Sequence, residues 1–175
     1  MGVEIERKFL LSDDAWRARA DPGTRMVQGY LVDREALRRG LAKSSVRVRI
    51  QGEQAFLNVK SADLGIERRE YEYPLPVEDA GEMLDMLCHG RIEKIRYRVP
   101  VDGHVFEIDE FLGDNEGLVV AELELDDAAE MFPRPGWLGP EVSHMPRYYN
   151  VHLIAHPWRD WSDAEKAGRE VDECC

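Results

Sequence analysis

The sequence predicts a mainly β domain of the α+β class, with about eight antiparallel strands and a few helices packed outside them. Three features of the 175-residue chain predict this class. Apolar and charged residues alternate with a period of two along most of the chain, as in strands with one apolar and one ionic face. Turn signals such as Gly52-Glu53 and Asp102-Gly103 separate the alternating runs. Helical spacing of apolar residues is confined to a few short stretches.

The alternation defines eight runs, and each is predicted to form a strand. In the first run Val3, Ile5 and Phe9 alternate with charged residues. Short connections between most of the runs favour hairpins, and hairpins make the sheet antiparallel. The runs span residues 3–9, 24–32, 46–50, 57–60, 66–73, 92–99, 105–111 and 118–125.

Helical spacing is clearest at 77–88, where the apolar residues fall on one stripe of a helix. Gly90 lies just past its end, which is an ordinary position for a terminating glycine. We expect two further short helices, one over 12–20 with Ser12 as its N-cap and one over 147–156. These few helices would cover part of the apolar face of the sheet.

Composition limits the partners of the chain. Twenty-three basic and 35 acidic residues give a net charge of −12, which argues against nucleic acid or an anionic membrane as a partner. Three cysteines, Cys88, Cys174 and Cys175, make no disulfide framework, so we expect a reduced, cytoplasmic protein. We expect one domain over residues 1–157, followed by an acidic C-terminal tail over 158–175.

The unusual feature of the sequence is which charges share a strand face. Nearly every position on the ionic faces carries a formal charge, and charges of one sign come in pairs two residues apart. The cations on these faces are Lys8, Arg47, Arg49, Lys60, Arg68, Lys94, Arg96 and Arg98. The acids on these faces are Glu4, Glu6, Glu70, Glu72, Glu107, Asp109, Glu122 and Glu124.

Two interpretations of these faces remain open from the residues alone. An antiparallel sheet can place one face on the core and the other in water, with ion pairs between neighbouring strands. Like charges on one face repel each other, however, and a bound anion would relieve the cationic pairs as a divalent cation would relieve the acidic ones. Arginine suits phosphate oxygens, and carboxylates suit hard cations such as Mg²⁺ or Mn²⁺. A barrel with its ionic face inward would therefore form a site for a metal–polyphosphate complex.

A set of short motifs, in order from about residue 3 to 157, resembles the CYTH family, the triphosphate tunnel metalloenzymes. It starts with the spacing Glu-x-Glu-x-Lys near the beginning of the chain. The matching segments are Val3-Glu4-Ile5-Glu6-Arg7-Lys8, Gln28-Gly29-Tyr30, Val46-Arg47-Val48-Arg49, Leu57-Asn58-Val59-Lys60, Arg69-Glu70-Tyr71-Glu72-Tyr73, Glu93-Lys94-Ile95-Arg96-Tyr97, Phe106-Glu107-Ile108-Asp109, Ala121-Glu122-Leu123-Glu124 and Arg147-Tyr148-Tyr149-Asn150.

The resemblance implies an eight-stranded antiparallel β-barrel, or tunnel, with a charged lumen and helices outside. It also implies a role for each charged group. The residues implied to bind triphosphate are Lys8, Arg47, Arg49, Lys60, Lys94 and Arg96. The residues implied to hold Mg²⁺ or Mn²⁺ are Glu4, Glu6, Asp109, Glu122 and Glu124. The implied catalytic set is Glu4, Glu6, Lys8, Glu122 and Glu124. Residues that carry over less securely are Glu70, Glu72, Glu107, Arg68, Arg98 and, from its inward parity, Tyr30.

The activity implied by the resemblance is metal-dependent hydrolysis of a triphosphate, with inorganic tripolyphosphate as the first choice. A metal-activated water would release orthophosphate and leave diphosphate. The alternatives are a class IV adenylate cyclase, a thiamine triphosphatase and a non-catalytic module that binds polyphosphate. The expected partner is a small-molecule triphosphate rather than nucleic acid or a membrane, and the protein would act as a monomer or homodimer.

Overall fold

A computed structural model describes residues 2–61 and 67–167, with only the backbone at positions 2–4, 34, 67 and 68. Within these ranges the chain forms nine strands, four α-helices and four short 3₁₀ helices. The strands are β1 (Gly2–Leu11), β2 (Thr24–Tyr30), β3 (Ser44–Gln51), β4 (Gln54–Ser61), β5 (Glu67–Leu75), β6 (Arg91–Val101), β7 (His104–Phe111), β8 (Val119–Leu125) and β9 (Leu138–Glu141). The α-helices are α1 (Arg34–Arg38), α2 (Val77–Met86), α3 (Asn150–Ala155) and α4 (Asp163–Lys166), and the 3₁₀ helices are Ala15–Arg19, Gly113–Asn115, Pro146–Tyr148 and Trp158–Asp160.

The strand pairing closes eight strands into a ring. The strands lie in the order β5-β4-β3-β2-β6-β7-β8-β1, and β1 pairs again with β5 through residues 2–5. All these pairings are antiparallel, so the predicted eight-stranded tunnel is confirmed. The ninth strand, β9, pairs with the far end of β1 and was not predicted, because four residues are too few for a visible alternation.

A tight turn between β6 and β7 fixes the register of this hairpin. Asp102 and Gly103 adopt φ values of +46° and +87°, the left-handed conformation that two-residue hairpin turns require. Val101 and His104 are consequently direct partners, and the pairing continues to Lys94 and Phe111. This register brings the cations of β6 next to the acids of β7.

Helix α2 covers one part of the outer face of the ring. Ala80 and Leu84 are buried against Val48 of β3 and Ala55 of β4. The helix ends at Met86, two residues before the predicted end, with α-helical geometry continuing only into its C-cap. The prediction that this amphipathic stretch covers the apolar side of the sheet is therefore confirmed.

A second apolar layer covers the outer face on the side of β1, β6, β7 and β8. Phe106 of β7 lies 5.2 Å from Trp137 between ring centroids, in an edge-on arrangement. Trp16, on the 3₁₀ helix Ala15–Arg19, is fully buried in the same cluster. The prediction that Ser12 caps this helix was wrong, since the helix starts three residues later and Asp13 accepts the Ala15 N–H at 2.8 Å.

The C-terminal segment packs over one end of the ring. Tyr148, Leu153 and Trp161 are buried there, with Tyr148 and Trp161 rings 5.2 Å apart. They contact apolar residues that share a strand face with the inward-pointing charges, namely Ile92, Phe111 and Val120. The packed domain therefore extends past residue 157, where the acidic tail was expected to begin. Residues 168–175, with Cys174 and Cys175, lie outside the described residues. In the chain as described, no helix combines the length and apolarity needed to cross a membrane.

The buried side chain of Trp161 is expected to contribute strongly to the free energy of unfolding. Replacing Trp161 by Ala is expected to lower the free energy of unfolding by about 3–5 kcal/mol, because a buried aromatic side chain is lost and a cavity remains. Chemical denaturation measures this change. Met131→Ala is the control, because Met131 is 88% exposed and its truncation should change the stability by less than about 0.5 kcal/mol. Equal stability of both variants would show that the segment after residue 157 is not part of the core.

Candidate active site in the tunnel

A cavity of about 330 Å³ lies inside the ring, and its lining is mostly charged. All six cations implied to bind triphosphate line it: Lys8, Arg47, Arg49, Lys60, Lys94 and Arg96. The acids that line it are Glu6, Glu70, Glu72, Glu107, Glu122 and Glu124. Strand alternation explains this composition, because residues two apart point to the same side and the outer sides are occupied by apolar cores. The ionic face is therefore the inner face of the ring.

Lys8 and Glu122 form the wall made by β1 and β8. They are direct cross-strand partners, both are nearly fully buried, and the Lys8 ammonium contacts the Glu122 carboxylate. Lys8 Nζ also lies 3.5 Å from Glu6 Oε1. Burial by itself lowers the pKa of Lys8, but the charges of Glu122 and Glu6 outweigh it and the pKa is raised. Lys8 is thus a fixed positive charge in the tunnel wall.

Arg96 connects three acids from two neighbouring strands. Its Nε and Nη2 atoms each donate to an oxygen of Asp109 at 2.7 Å, and its guanidinium also contacts Glu107 and Glu122. Burial raises the pKa of Glu122, but the positive charges of Lys8 and Arg96 hold that pKa well below its usual range. The carboxylate of Glu122 is therefore ionised with a cation on each oxygen.

Asp109 lies beneath the cavity rather than in its lining. It is fully buried, and the Lys94 ammonium and the Arg96 guanidinium both contact its oxygens. Burial and the nearby charge of Arg96 lower the pKa of Lys94 to about 8, against the opposing effect of Asp109. In this arrangement Asp109 orients two cations toward the lumen, and its implied role as a metal ligand stays a prediction.

The opposite wall, made by β3, β4 and β5, pairs arginines with the acids of β5. Arg49 Nη2 donates to Glu72 Oε2 at 2.8 Å, and Arg47 Nη2 lies 3.6 Å from Glu70 Oε1. Lys60 Nζ lies 3.3 Å from Glu70 Oε2. Burial raises the pKa of Glu70, but Lys60 and Arg47 outweigh it and the pKa is lowered. Glu70 and Glu72, which the resemblance assigns less securely, therefore lie within the cation-rich part of the tunnel.

Three predicted residues differ from the rest in position. Glu4 and Arg68 are backbone partners at the seam between β1 and β5, and their side chains lie outside the described residues. Arg98 is exposed and lines a second, wider cavity of about 760 Å³ at the other end of the tunnel. The two cavities share four lining acids: Glu70, Glu72, Glu107 and Glu124. Arg98 is thus separated from the cavity that the other cations line.

Several lining residues carried no charge signal in the sequence. Tyr30 lines the cavity as its parity predicts, and its hydroxyl accepts an N–H from Gln28 at 3.3 Å. Tyr149 and Asn150 enter the lining from the start of α3, a segment without strand periodicity. The Tyr149 ring faces the Lys8 ammonium at 5.6 Å, and its hydroxyl donates to the Ser143 carbonyl at 2.7 Å. Only the packing of the C-terminal segment brings Tyr149 and Asn150 to the site.

Two pairs of carboxylates face each other across neighbouring strands of the tunnel and are candidate ligands for a divalent cation. Glu6 and Glu124 are direct cross-strand partners, and so are Glu107 and Glu122. Like charges at such positions repel unless a cation lies between them, and carboxylate oxygens are suitable ligands for Mg²⁺ or Mn²⁺. Among the described side chains no three acids, histidines or cysteines cluster closely enough to hold a metal, since Lys8 and Arg96 lie among these acids. The carboxylate oxygens are thus of the type that Mg²⁺ or Mn²⁺ binds, and in this structure most of these carboxylates contact the side chains of Lys8 or Arg96.

A closed ring of eight antiparallel strands around a lumen of cations and carboxylates defines a charged β-tunnel protein. The model of the CYTH domain matches residues 2–149, and the chain belongs to the CYTH family.

Proteins of known description are similar over nearly the whole chain. An inorganic triphosphatase of Acetivibrio thermocellus is 44% identical over 165 residues, which cover 93% of this chain and 100% of that protein. An inorganic triphosphatase of Nitrosomonas europaea is 38% identical over 157 residues, covering 86% of this chain and 96% of that protein. A crystal structure of an inorganic triphosphatase superimposes with a TM-score of 0.61 at 32% identity, covering 88% of this chain and 95% of that one.

Proposed function

We propose that this protein is a divalent-metal-dependent triphosphatase that hydrolyses inorganic tripolyphosphate to orthophosphate and diphosphate. The observation that carries the proposal is the tunnel cavity in which six cations of four strands converge beside facing carboxylates. Phosphoryl transfer depends mainly on such charge neutralisation and positioning. The similar proteins described as inorganic triphosphatases support the same activity.

The lining of the cavity supports an inorganic rather than an organic triphosphate. A base or thiazole ring needs apolar or aromatic surface to stack on. The aromatic side chains in the lining are Tyr30 and Tyr149, and both are engaged, Tyr30 by Gln28 and Tyr149 by Lys8 and the Ser143 carbonyl. The remaining lining is mostly charged or polar, which suits a chain of phosphates with no organic group.

In the proposed mechanism each tunnel residue has one task. The arginines Arg47, Arg49 and Arg96 donate paired N–H groups to phosphate oxygens, and the lysines Lys8, Lys60 and Lys94 supply point charges. The carboxylates proposed to hold Mg²⁺ or Mn²⁺ are Glu6, Glu122 and Glu124, together with Glu4. The chemistry that the metal supplies when bound is charge neutralisation and activation of water for in-line attack on the terminal phosphorus.

Binding then requires an exchange of partners within the tunnel. Lys8 and Arg96 contact Glu122, and Arg49 contacts Glu72. Phosphate oxygens would replace these carboxylates as partners of the cations. The carboxylates released on β1 and β8 would then be available to the metal. Anion and metal are therefore expected to bind cooperatively. An anion bound to the cations leaves the carboxylates without partners for the metal to neutralise, and a metal bound to the carboxylates leaves the cations without partners for the anion.

We propose a cytoplasmic enzyme, monomeric or homodimeric, that acts on a free small molecule without a nucleic-acid or membrane partner. The net charge of −12 supports the exclusion of polyanionic surfaces, because it opposes their approach over long distances. A triphosphate ion is small enough to reach the local positive charge inside the tunnel.

Phosphate release from a panel of triphosphates tests the proposed function. Tripolyphosphate, ATP and thiamine triphosphate are each supplied with Mg²⁺, Mn²⁺ or EDTA, and cyclic AMP is measured in the ATP samples. Release from tripolyphosphate that exceeds the others and is abolished by EDTA is expected. Cyclic AMP without phosphate release would instead identify a cyclase, and a preference for thiamine triphosphate would identify a thiamine triphosphatase. Binding of tripolyphosphate without turnover of any substrate would leave a polyphosphate-binding module.

A further inference from the structure

One uncharged residue, Asn58, occupies an inward position among the charges of the tunnel wall. It lies on β4, two residues before Lys60, and its backbone partners are Arg47 of β3 and Glu72 of β5. Its side chain is fully buried and borders neither tunnel cavity. Asn58 therefore lies within the wall, behind the groups that face the lumen, and does not itself touch a ligand in the cavity.

The amide of Asn58 bridges the two acids of β5. Its Nδ2 atom donates to Glu70 Oε1 at 2.7 Å and to Glu72 Oε2 at 2.6 Å. These carboxylates are two residues apart on one strand face, so they repel each other. An amide nitrogen has two hydrogens and can satisfy both carboxylates at once. The reverse amide orientation would set its oxygen against both acids, so the orientation of Asn58 is fixed by its partners.

The same two carboxylates are partners of the arginines of β3. Glu72 Oε2 accepts both from Asn58 and from Arg49 Nη2, the latter at 2.8 Å. Glu70 Oε1 accepts from Asn58 and lies 3.6 Å from Arg47 Nη2. Asn58 thus shares each carboxylate oxygen with an arginine that lines the cavity. Without the amide, Glu70 and Glu72 would have only cationic partners among these groups and would turn more fully toward them.

We infer that Asn58 is a positioning residue that holds Glu70 and Glu72 against the wall and so keeps Arg47 and Arg49 available to phosphate. This inference rests on the proposed function, because it concerns the affinity for triphosphate. Glu6, Glu122 and Glu124 lie on β1 and β8, away from Asn58. Asn58 therefore acts on binding of the anion and leaves the chemical step unchanged.

The test separates binding from turnover in two Asn58 variants. Asn58→Leu removes the hydrogen bonds to both Glu70 and Glu72 and is expected to raise KM for tripolyphosphate about tenfold, because the released carboxylates compete with phosphate for Arg47 and Arg49. Its kcat should stay within about twofold, since an effect on binding alone leaves kcat unchanged. Asn58→Asp keeps the shape of the residue but adds a third carboxylate, so its KM should rise further. Titration calorimetry with tripolyphosphate in EDTA should show the same order of affinities without turnover.

Removal of the acids provides the decisive control. In a background with Glu70→Gln and Glu72→Gln, Asn58→Leu should change KM by less than about twofold, because there is no carboxylate left to restrain. Asn115→Asp is the matched exchange of a buried amide outside the tunnel and should leave KM unchanged.

The outcomes that would overturn the inference are distinct from failure of the proposed function. A fall in kcat at constant KM, or an undiminished effect in the double-Gln background, would show that Asn58 does not act through the acids. Unchanged KM in both Asn58 variants would also overturn the inference while leaving the triphosphatase intact. A wild-type protein that neither binds nor hydrolyses tripolyphosphate would overturn the proposed function itself. Thermal unfolding of each variant separates these results from loss of the fold.

Discussion

Replacing Glu6 by Gln is expected to slow metal-dependent hydrolysis of tripolyphosphate about 10³-fold, because a carboxylate proposed to hold the metal is lost. The stability of the fold should change little, because the lost contact with the Lys8 ammonium is offset by the lost repulsion from Glu124. Glu6 faces Glu124 directly across the β1–β8 pair, so the exchange removes a repulsion between like charges. Loss of activity without loss of stability is the expected signature, measured by phosphate release and by chemical denaturation.

The matched control for this variant is Glu93→Gln. Glu93 belongs to a strand of the same ring, but its carboxylate is paired with Arg25 at 2.7 Å on the solvent side. Its exchange should leave hydrolysis within about twofold of the wild-type rate, because Glu93 does not line the tunnel cavity. If Glu6→Gln retained more than a tenth of the wild-type rate, Glu6 would not be a metal ligand. The acids of β8 would then have to hold the metal without it.

Replacing Arg96 by Met is expected to lower both the stability of the fold and the activity. Arg96 is the shared partner of Asp109, Glu107 and Glu122, and Asp109 is fully buried. Removing one partner of a buried ion pair leaves an uncompensated charge and lowers the free energy of unfolding by about 3–5 kcal/mol. Hydrolysis should be lost as well, since Arg96 is proposed to bind phosphate. Denaturation in the presence of EDTA measures the change for the protein without metal.

The stability difference between wild type and Arg96→Met should depend on pH. In the wild type the pKa of Glu122 is held well below its usual range against burial, so its ionised form stabilises the fold above the unfolded-state pKa. That contribution is lost as the pH falls through the lowered folded-state pKa. In the variant the charge of Arg96 no longer opposes the effect of burial, so the pKa of Glu122 is higher than in the wild type. As the pH falls, Glu122 therefore becomes protonated in the variant before it does in the wild type, and protonation removes the uncompensated charge. The difference should be largest near neutral pH and shrink toward about pH 4.

Arg25→Met is the control for the arginine variant. Arg25 pairs with Glu93 at the surface, with 65% of its side chain exposed. An exposed pair contributes less than about 1 kcal/mol, so this variant should unfold nearly as the wild type does and show little added pH dependence. A pH-independent difference for Arg96→Met would contradict the proposed role of the buried acids. A difference as small as that of Arg25→Met would do so as well.

The tunnel reconciles an acidic protein with an anionic substrate. The chain carries a net charge of −12, yet its cations converge on one cavity. Each of the six cations that line it has a carboxylate partner, so its positive charge is balanced locally. Recognition of phosphate therefore depends on exchange of partners at short range rather than on long-range attraction. The affinity for triphosphate is therefore expected to depend strongly on the divalent metal.

Local sequence features predict most of the strands and helices, but not the elements that are too short to show a helical or strand periodicity. The eight strands and α2 follow from alternation and from one apolar stripe. Helix α1 and β9 were missed, because five and four residues respectively are too short for either signal. The polar composition of the C-terminal segment predicts a tail. Its aromatic residue Trp161 nevertheless packs into the core, which is a long-range contact that no local pattern encodes.

The sequence by itself determined which side chains share a face, because a period of two is a property of the local backbone. That was enough to group Lys8 with Glu6, Arg47 with Arg49, and Lys94 with Arg96. Only the tertiary structure decided that this face points inward, through the pairing of β1 with β5 that closes the ring. Register between distant strands then set the partners, placing Asp109 beneath Arg96 and Asn58 behind Glu72. Pairing of this kind depends on contacts far apart in the chain, so it becomes visible only when the strands have assembled.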